Sequence, residues 1–91
     1  MLSSVFLSGR IGRKLDRKTR VIELDALVPN SKGEYVVTEV PVRSSHGDET
    51  SLMRAVEGNY VILKGRLGYE EGIGLFVISE IEEYLGKRKS E

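Results

Sequence analysis

The sequence predicts an all-β protein: a five-stranded closed barrel with one short helix between the third and fourth strands. Three observations predict it. Five segments alternate apolar and polar residues with the two-residue period of a strand. Glycines fall inside several of those segments, where a small cylinder must bend tightly or let backbones approach. A single isolated stretch carries helical spacing with cap and stop residues. Closure protects the edges that an open five-stranded sheet would expose.

The first strand is read in "SVFLSGRIG", with Val5, Leu7, Gly9 and Ile11 facing one way and Phe6, Ser8 and Arg10 the other. The basic tip "RKLDRKT" follows, then "RVIELDALV" with Ile22, Leu24, Ala26 and Val28 on one side. "PNSKGE" supplies turn residues, and "YVVTEVPVRS" places Val36, Thr38, Val40 and Val42 on one face. Pro41 lacks a ladder donor, which puts it at an edge or a bulge. The predicted helix covers about residues 50–57, capped by Asp48 or Thr50, apolar through Leu52, Met53 and Val56, and ended by Gly58. At barely two turns it needs tertiary support. "NYVILKGRLGY" turns Val61, Leu63, Gly65 and Leu67 inward and Tyr60, Ile62, Lys64 and Arg66 outward. After the turn "EEGIG", the last strand "LFVISEIEEYL" sets Leu75, Val77, Ser79 and Ile81 against Phe76, Ile78 and Glu80. Residues 1–86 are read as one domain and 87–91 as a polar tail.

Composition narrows the function classes. The 91 residues are 40% apolar, enough for one small core. There is no cysteine, which excludes disulfides and thiolate metal sites. With one histidine, neither a metal nor any other cofactor is expected. Ser44, Ser45, His46 and Asp48 lie close in sequence, but such proximity does not build a catalytic geometry, and no enzyme activity is expected. The opening "MLSSVFLSG" lacks a basic region and a long apolar run, so a soluble cytoplasmic protein without membrane association is the expectation.

Charge is unevenly spread. The chain is formally neutral, yet residues 9–20, "GRIGRKLDRKTR", hold six of its fourteen basic side chains against the single Asp16. Such a cluster marks either a polyanion site or a solvated hairpin tip. Single-strand binders pair a basic track for phosphates with aromatic platforms for bases. The candidate contacts are therefore Arg10, Arg13, Lys14, Arg17, Lys18 and Arg20, with Arg43, Lys64 and Arg66 on later strands and Tyr60 and Tyr69 as stacking rings. Phe6, Tyr35 and Phe76 are further candidates for stacking or for a subunit interface.

The order of "SVFLSGRIGRK", "VPVRS", a short helix, "EGNYVILKGRL" and "FVISEIEEYL" resembles the bacterial single-stranded DNA-binding proteins and the related primosomal replication protein. The resemblance spans nearly the whole chain, and the stretch from Gly58 to Leu67 carries most of it. It implies the oligonucleotide/oligosaccharide-binding (OB) barrel, assembly as a homodimer or homotetramer, and sequence-independent binding of single-stranded DNA in replication or repair. DNA against RNA stays open. The departures are specific. The chain has no tryptophan, "GYEEGIG" is shorter than the family's DNA-wrapping hairpin, and the acidic recruitment tip is not matched. Weaker binding over a shorter site, without recruitment through that tip, is the expectation. The alternative is an OB barrel that serves protein interaction and binds little or no nucleic acid.

Overall fold

A computed structural model describes residues 4–29, 31–46 and 50–86. Asp48, one candidate helix cap, and the tail 87–91 lie outside the described residues. The elements run β1 (Val5–Lys14), β2 (Thr19–Pro29), β3 (Tyr35–Ser44), α1 (Ser51–Arg54), β4 (Tyr60–Glu70) and β5 (Gly74–Gly86). They close into a barrel in the order β1-β2-β3-β5-β4. Every neighbour is antiparallel except β3–β5, where Val42, Arg43 and Ser44 pair in parallel with Val77, Ile78 and Ser79. The five-stranded OB-type barrel with a helix after the third strand is the fold the sequence predicts. Pro41 sits one residue before β3 begins to pair with β5, consistent with its missing donor.

Alternation fills the interior. Ile11, Ile22, Val42, Leu52, Val61, Leu63 and Val77 form one buried cluster, with Val5, Leu7, Val40 and Tyr84 packed against it. Two glycines permit the close strand approach this small cylinder needs. A Cβ on Gly9 would lie 2.1 Å from the Glu23 carbonyl oxygen, and one on Gly65 would lie 2.0 Å from that of Ile78.

Five inward or outward readings are corrected by the structure, two of them through the strand register. In the β4–β5 ladder, Gly65 pairs with Ser79 and Lys64 with Ile81, so β5 takes two steps where β4 takes one. That bulge turns Ile81 outward, against the simple alternation, and it is largely exposed. A second shift between Tyr60 and Val61 leaves both of these neighbours buried. Leu67 and Leu75, read as inward, are exposed on the outer half of the β4–β5 hairpin. Phe76, read as outward and available, is covered.

The helix is shorter than the sequence predicts. It spans only Ser51–Arg54, Ala55 is already extended, and Thr50 occupies the N-cap without a side-chain cap bond. Gly58 does not end it. Instead Gly58 (φ +93°) turns the chain back onto β1, where its N–H donates to the Ile11 carbonyl at 2.8 Å and the Ile11 N–H donates to Asn59 at 2.8 Å. Leu52 still reaches the core cluster, which supplies the tertiary support so short a helix requires.

Candidate nucleic-acid interface

Asp16, the only acid in the basic stretch, organises its turn. Its carboxylate accepts from the Lys18 N–H at 2.8 Å and from the Thr19 hydroxyl at 3.2 Å, while the Leu15 N–H donates to the Thr19 carbonyl at 2.9 Å. This is an Asx-type turn. The hydrogen bond from Lys18 is the leading reason that the Asp16 carboxyl is held below its ordinary pKa. The turn leaves Lys14, Arg17 and Lys18 exposed around the tip.

Two more members of the cluster lie along the β1–β2–β3 face beside carboxylates. Arg10 is exposed and in register with Glu23, which in turn faces Glu39 across β2–β3. Arg13 forms an ion pair with Glu39. Two glutamates directly opposite repel each other, and the neighbouring arginines offset that repulsion.

Arg20 is elsewhere altogether. It is 3% exposed, and its Nε donates to the Gly12 carbonyl at 2.9 Å. Its Nη1 donates to the carbonyls of Leu52 and Met53, both at 3.2 Å, and to that of Ala55. Burial lowers its pKa, but a guanidinium remains charged. Arg20 therefore ties the end of α1 to β1, and we set it aside as a phosphate contact. Tyr60, 8% exposed, is likewise set aside as a stacking platform.

Arg43 stands at the junction of two loops. Its guanidinium lies 4.5 Å from the centroid of the Phe76 ring, and Nε donates to the Thr19 hydroxyl at 2.7 Å. Nη1 and Nη2 donate to the two Glu70 oxygens at 3.1 and 2.9 Å, and Nη2 lies 4.0 Å from Asp16. The Arg43 fork lowers the Glu70 pKa, and the same bond raises that of Arg43. Phe76, 7% exposed, lies over the bare backbone of Gly68, where a Cβ would stand 2.9 Å from its ring. Through Arg43 the tip at 15–18 is joined to the end of the β4–β5 hairpin.

The remaining candidates lie on β4. Arg66 pairs with Glu80 at 2.9 Å. Lys64 Nζ sits 5.6 Å from the Phe6 ring, and Phe6 is 72% exposed. Tyr69 is 70% exposed and faces Leu75 across the hairpin. His46 is exposed in the turn after β3, where its N–H donates to Ser44 Oγ at 3.1 Å. Among the described residues, no three His, Cys, Asp or Glu side chains are grouped to hold a metal, and no helix is long and apolar enough to cross a membrane.

Sequence reasoning missed Phe76 as the seat of Arg43, and Glu70, Glu39 and Glu80 as its cations' partners. These carboxylates lie 14 to 27 residues from the arginines they meet, and nothing in the local pattern signals those pairings.

No family model matches the chain, and no curated protein matches it in sequence. Similarity appears in three dimensions. The mitochondrial single-stranded DNA-binding protein Rim1 of S. cerevisiae superposes with a TM-score of 0.66 at 14% identity, covering 99% of this chain and 100% of Rim1. A second crystal form of Rim1 gives 0.59 at 14% identity over 97% and 99%. An OBody, NL8, in complex with hen egg-white lysozyme gives 0.57 at 16% identity over 96% and 98%. At such identities the likeness concerns the fold, and it agrees with the strand order and helix position described above: this chain is an OB barrel.

Proposed function

We propose that this OB barrel binds single-stranded nucleic acid, DNA in the first instance, without sequence preference, as an accessory to replication or repair. One observation carries the reading. Arg43 reaches both Asp16 and Glu70, so the tip bearing Lys14, Arg17 and Lys18 lies beside the hairpin bearing the exposed Tyr69. Tyr69 alternates to the opposite face of the hairpin from Glu70, so cations for phosphates and a ring for a base flank the same hairpin end. The likeness to Rim1, described as a single-stranded DNA-binding protein, supports it.

Fluorescence anisotropy with oligo-dT and oligo-rU at several salt concentrations tests the proposal. Combined Lys14→Ala, Arg17→Ala and Lys18→Ala lowers affinity and flattens the log–log salt slope by about 2, at roughly 0.7 per phosphate contact. Tyr69→Ala lowers affinity about tenfold with the slope unchanged, since stacking releases no counterions. No binding by the wild type at low salt overturns the reading.

A second reading is protein binding. The facing Glu23 and Glu39 favour it, because they place carboxylates on the strand 2–3 face that OB barrels use for oligonucleotides. The lysozyme-bound OBody shows a barrel of this fold engaging a protein. A wild type that ignores oligonucleotides at low salt selects this reading.

We also infer self-association into a homodimer or homotetramer. Phe6, Lys64 and Ile81 form one cross-strand row on β1–β4–β5, with Ile62 beside it. Phe6, Ile62 and Ile81 are exposed large apolar side chains, and contiguous exposed apolar surface marks interfaces. Sedimentation equilibrium at high micromolar concentration should give at least a dimer, and a monomer refutes the inference.

A further inference from the structure

We infer that Arg43 is a masked phosphate subsite, with the Glu70 carboxylate holding the place that a strand phosphate takes on binding. The inference rests on the single-strand reading above and adds a residue and a competition to it.

The guanidinium is fixed independently of Glu70. Phe76 lies under its plane at 4.5 Å, and the Thr19 hydroxyl accepts from Nε at 2.7 Å. Those two contacts leave the outer edge, Nη1 and Nη2, as a two-donor fork, and Glu70 fills both positions at 3.1 and 2.9 Å. A carboxylate and a phosphate present the same bidentate geometry to such a fork. Arg43 keeps only 12% of its side-chain surface exposed while Glu70 keeps 48%. The cation is seated and the anion is not.

Glu70 also stands where it can leave. It ends β4, opposite Gly74 at the start of β5, and the turn beyond it contains Gly72 at φ +92°. Swinging out returns its carboxylate to water at little cost, because it was never fully desolvated. Asp16 is less able to leave, held by the Lys18 N–H and the Thr19 hydroxyl and 4.0 Å from Nη2. One guanidinium thus faces two carboxylates, so the resting subsite repels a polyanion. Displacing Glu70 both exposes the fork and uncouples the hairpin from the 15–18 turn. The neighbouring Lys18 also attracts Glu70, so a phosphate on Lys18 weakens that hold.

The test compares Glu70→Gln and Glu70→Ala with Glu71→Gln, which removes the same charge one residue along, where no described residue pairs with it. Oligo-dT anisotropy across a salt series is the readout, after thermal melts show each variant folded. Both Glu70 variants should bind about fivefold tighter than Glu71→Gln, with a salt slope steeper by about 0.7, one additional phosphate contact. Adding Arg43→Met to Glu70→Gln should remove both gains. Should the wild type bind while the Glu70 variants match or fall below Glu71→Gln, the masked subsite is refuted and the single-strand reading stands. Binding by the Glu70 variants alone supports the mask in its strongest form. If none of the proteins binds, the subsite and the reading fall together.

Discussion

Arg20 on β2 and Arg43 on β3 are near neighbours in cross-strand register, Arg20 opposite Val42 and Arg43 opposite Thr19, yet they face opposite sides of the barrel wall. Arg20 points inward and donates to the carbonyls of Gly12, Leu52, Met53 and Ala55. Arg43 points outward and donates to a carboxylate and a hydroxyl. Backbone carbonyls fixed in a fold cannot leave, so a guanidinium among them is a structural strut. A carboxylate on a hairpin end can leave, so a guanidinium beneath it is an exchangeable anion site. The partners of a basic residue, more than its charge, separate architecture from binding.

The same substitution at both positions puts this contrast under the greatest strain. Arg20→Met removes the donors for three carbonyls around α1 and for that of Gly12 on β1, and should cost about 3 kcal/mol, roughly 15 °C in Tm. Its affinity per folded molecule for oligo-dT should not change. Arg43→Met loses a half-exposed ion pair and a ring contact, so its Tm should fall several-fold less. Differential scanning calorimetry of the two variants decides the matter, and equal losses would erase the distinction between strut and anion site.

A smaller effect sharpens it through pH. Glu70 and Asp16 are both depressed below their ordinary values, Glu70 mainly by the Arg43 bond and Asp16 mainly by the Lys18 N–H. The unfolded chain therefore binds these protons more readily, and stability rises with pH across their range. Their contribution is complete above the unfolded values, near pH 4 to 4.5, and is lost as pH falls through the lower folded ones. Arg43→Met should diminish that acid loss, since it frees Glu70 to titrate normally. Arg20 donates to carbonyls that do not titrate, and Glu57 acts on its charge only through space, so Arg20→Met should change the shape of the profile less than Arg43→Met does while lowering all of it. Denaturant melts between pH 3 and 6 check this.

Much of the architecture is written locally. Alternation in "SVFLSGRIG", "VPVRS" and "NYVILKG" states which side chains enter the core, because successive strand residues point to opposite faces. Gly9 and Gly65 mark the close approaches, and Asp16 in "LDRKT" marks the turn that splays Lys14, Arg17 and Lys18 outward, since an Asx turn closes within a few residues. Tertiary structure alone decided the rest. Bulges where β5 takes an extra residue against β4 turned Ile81 out and brought Tyr60 in, and a bulge depends on how two distant strands are stretched to close a barrel. Arg20 finds carbonyls 32 to 35 residues away, and Arg43 finds Glu70 27 residues away. Charge is a property of each residue and is legible in the chain, whereas neutralisation is a property of register, and register is set only when the barrel shuts.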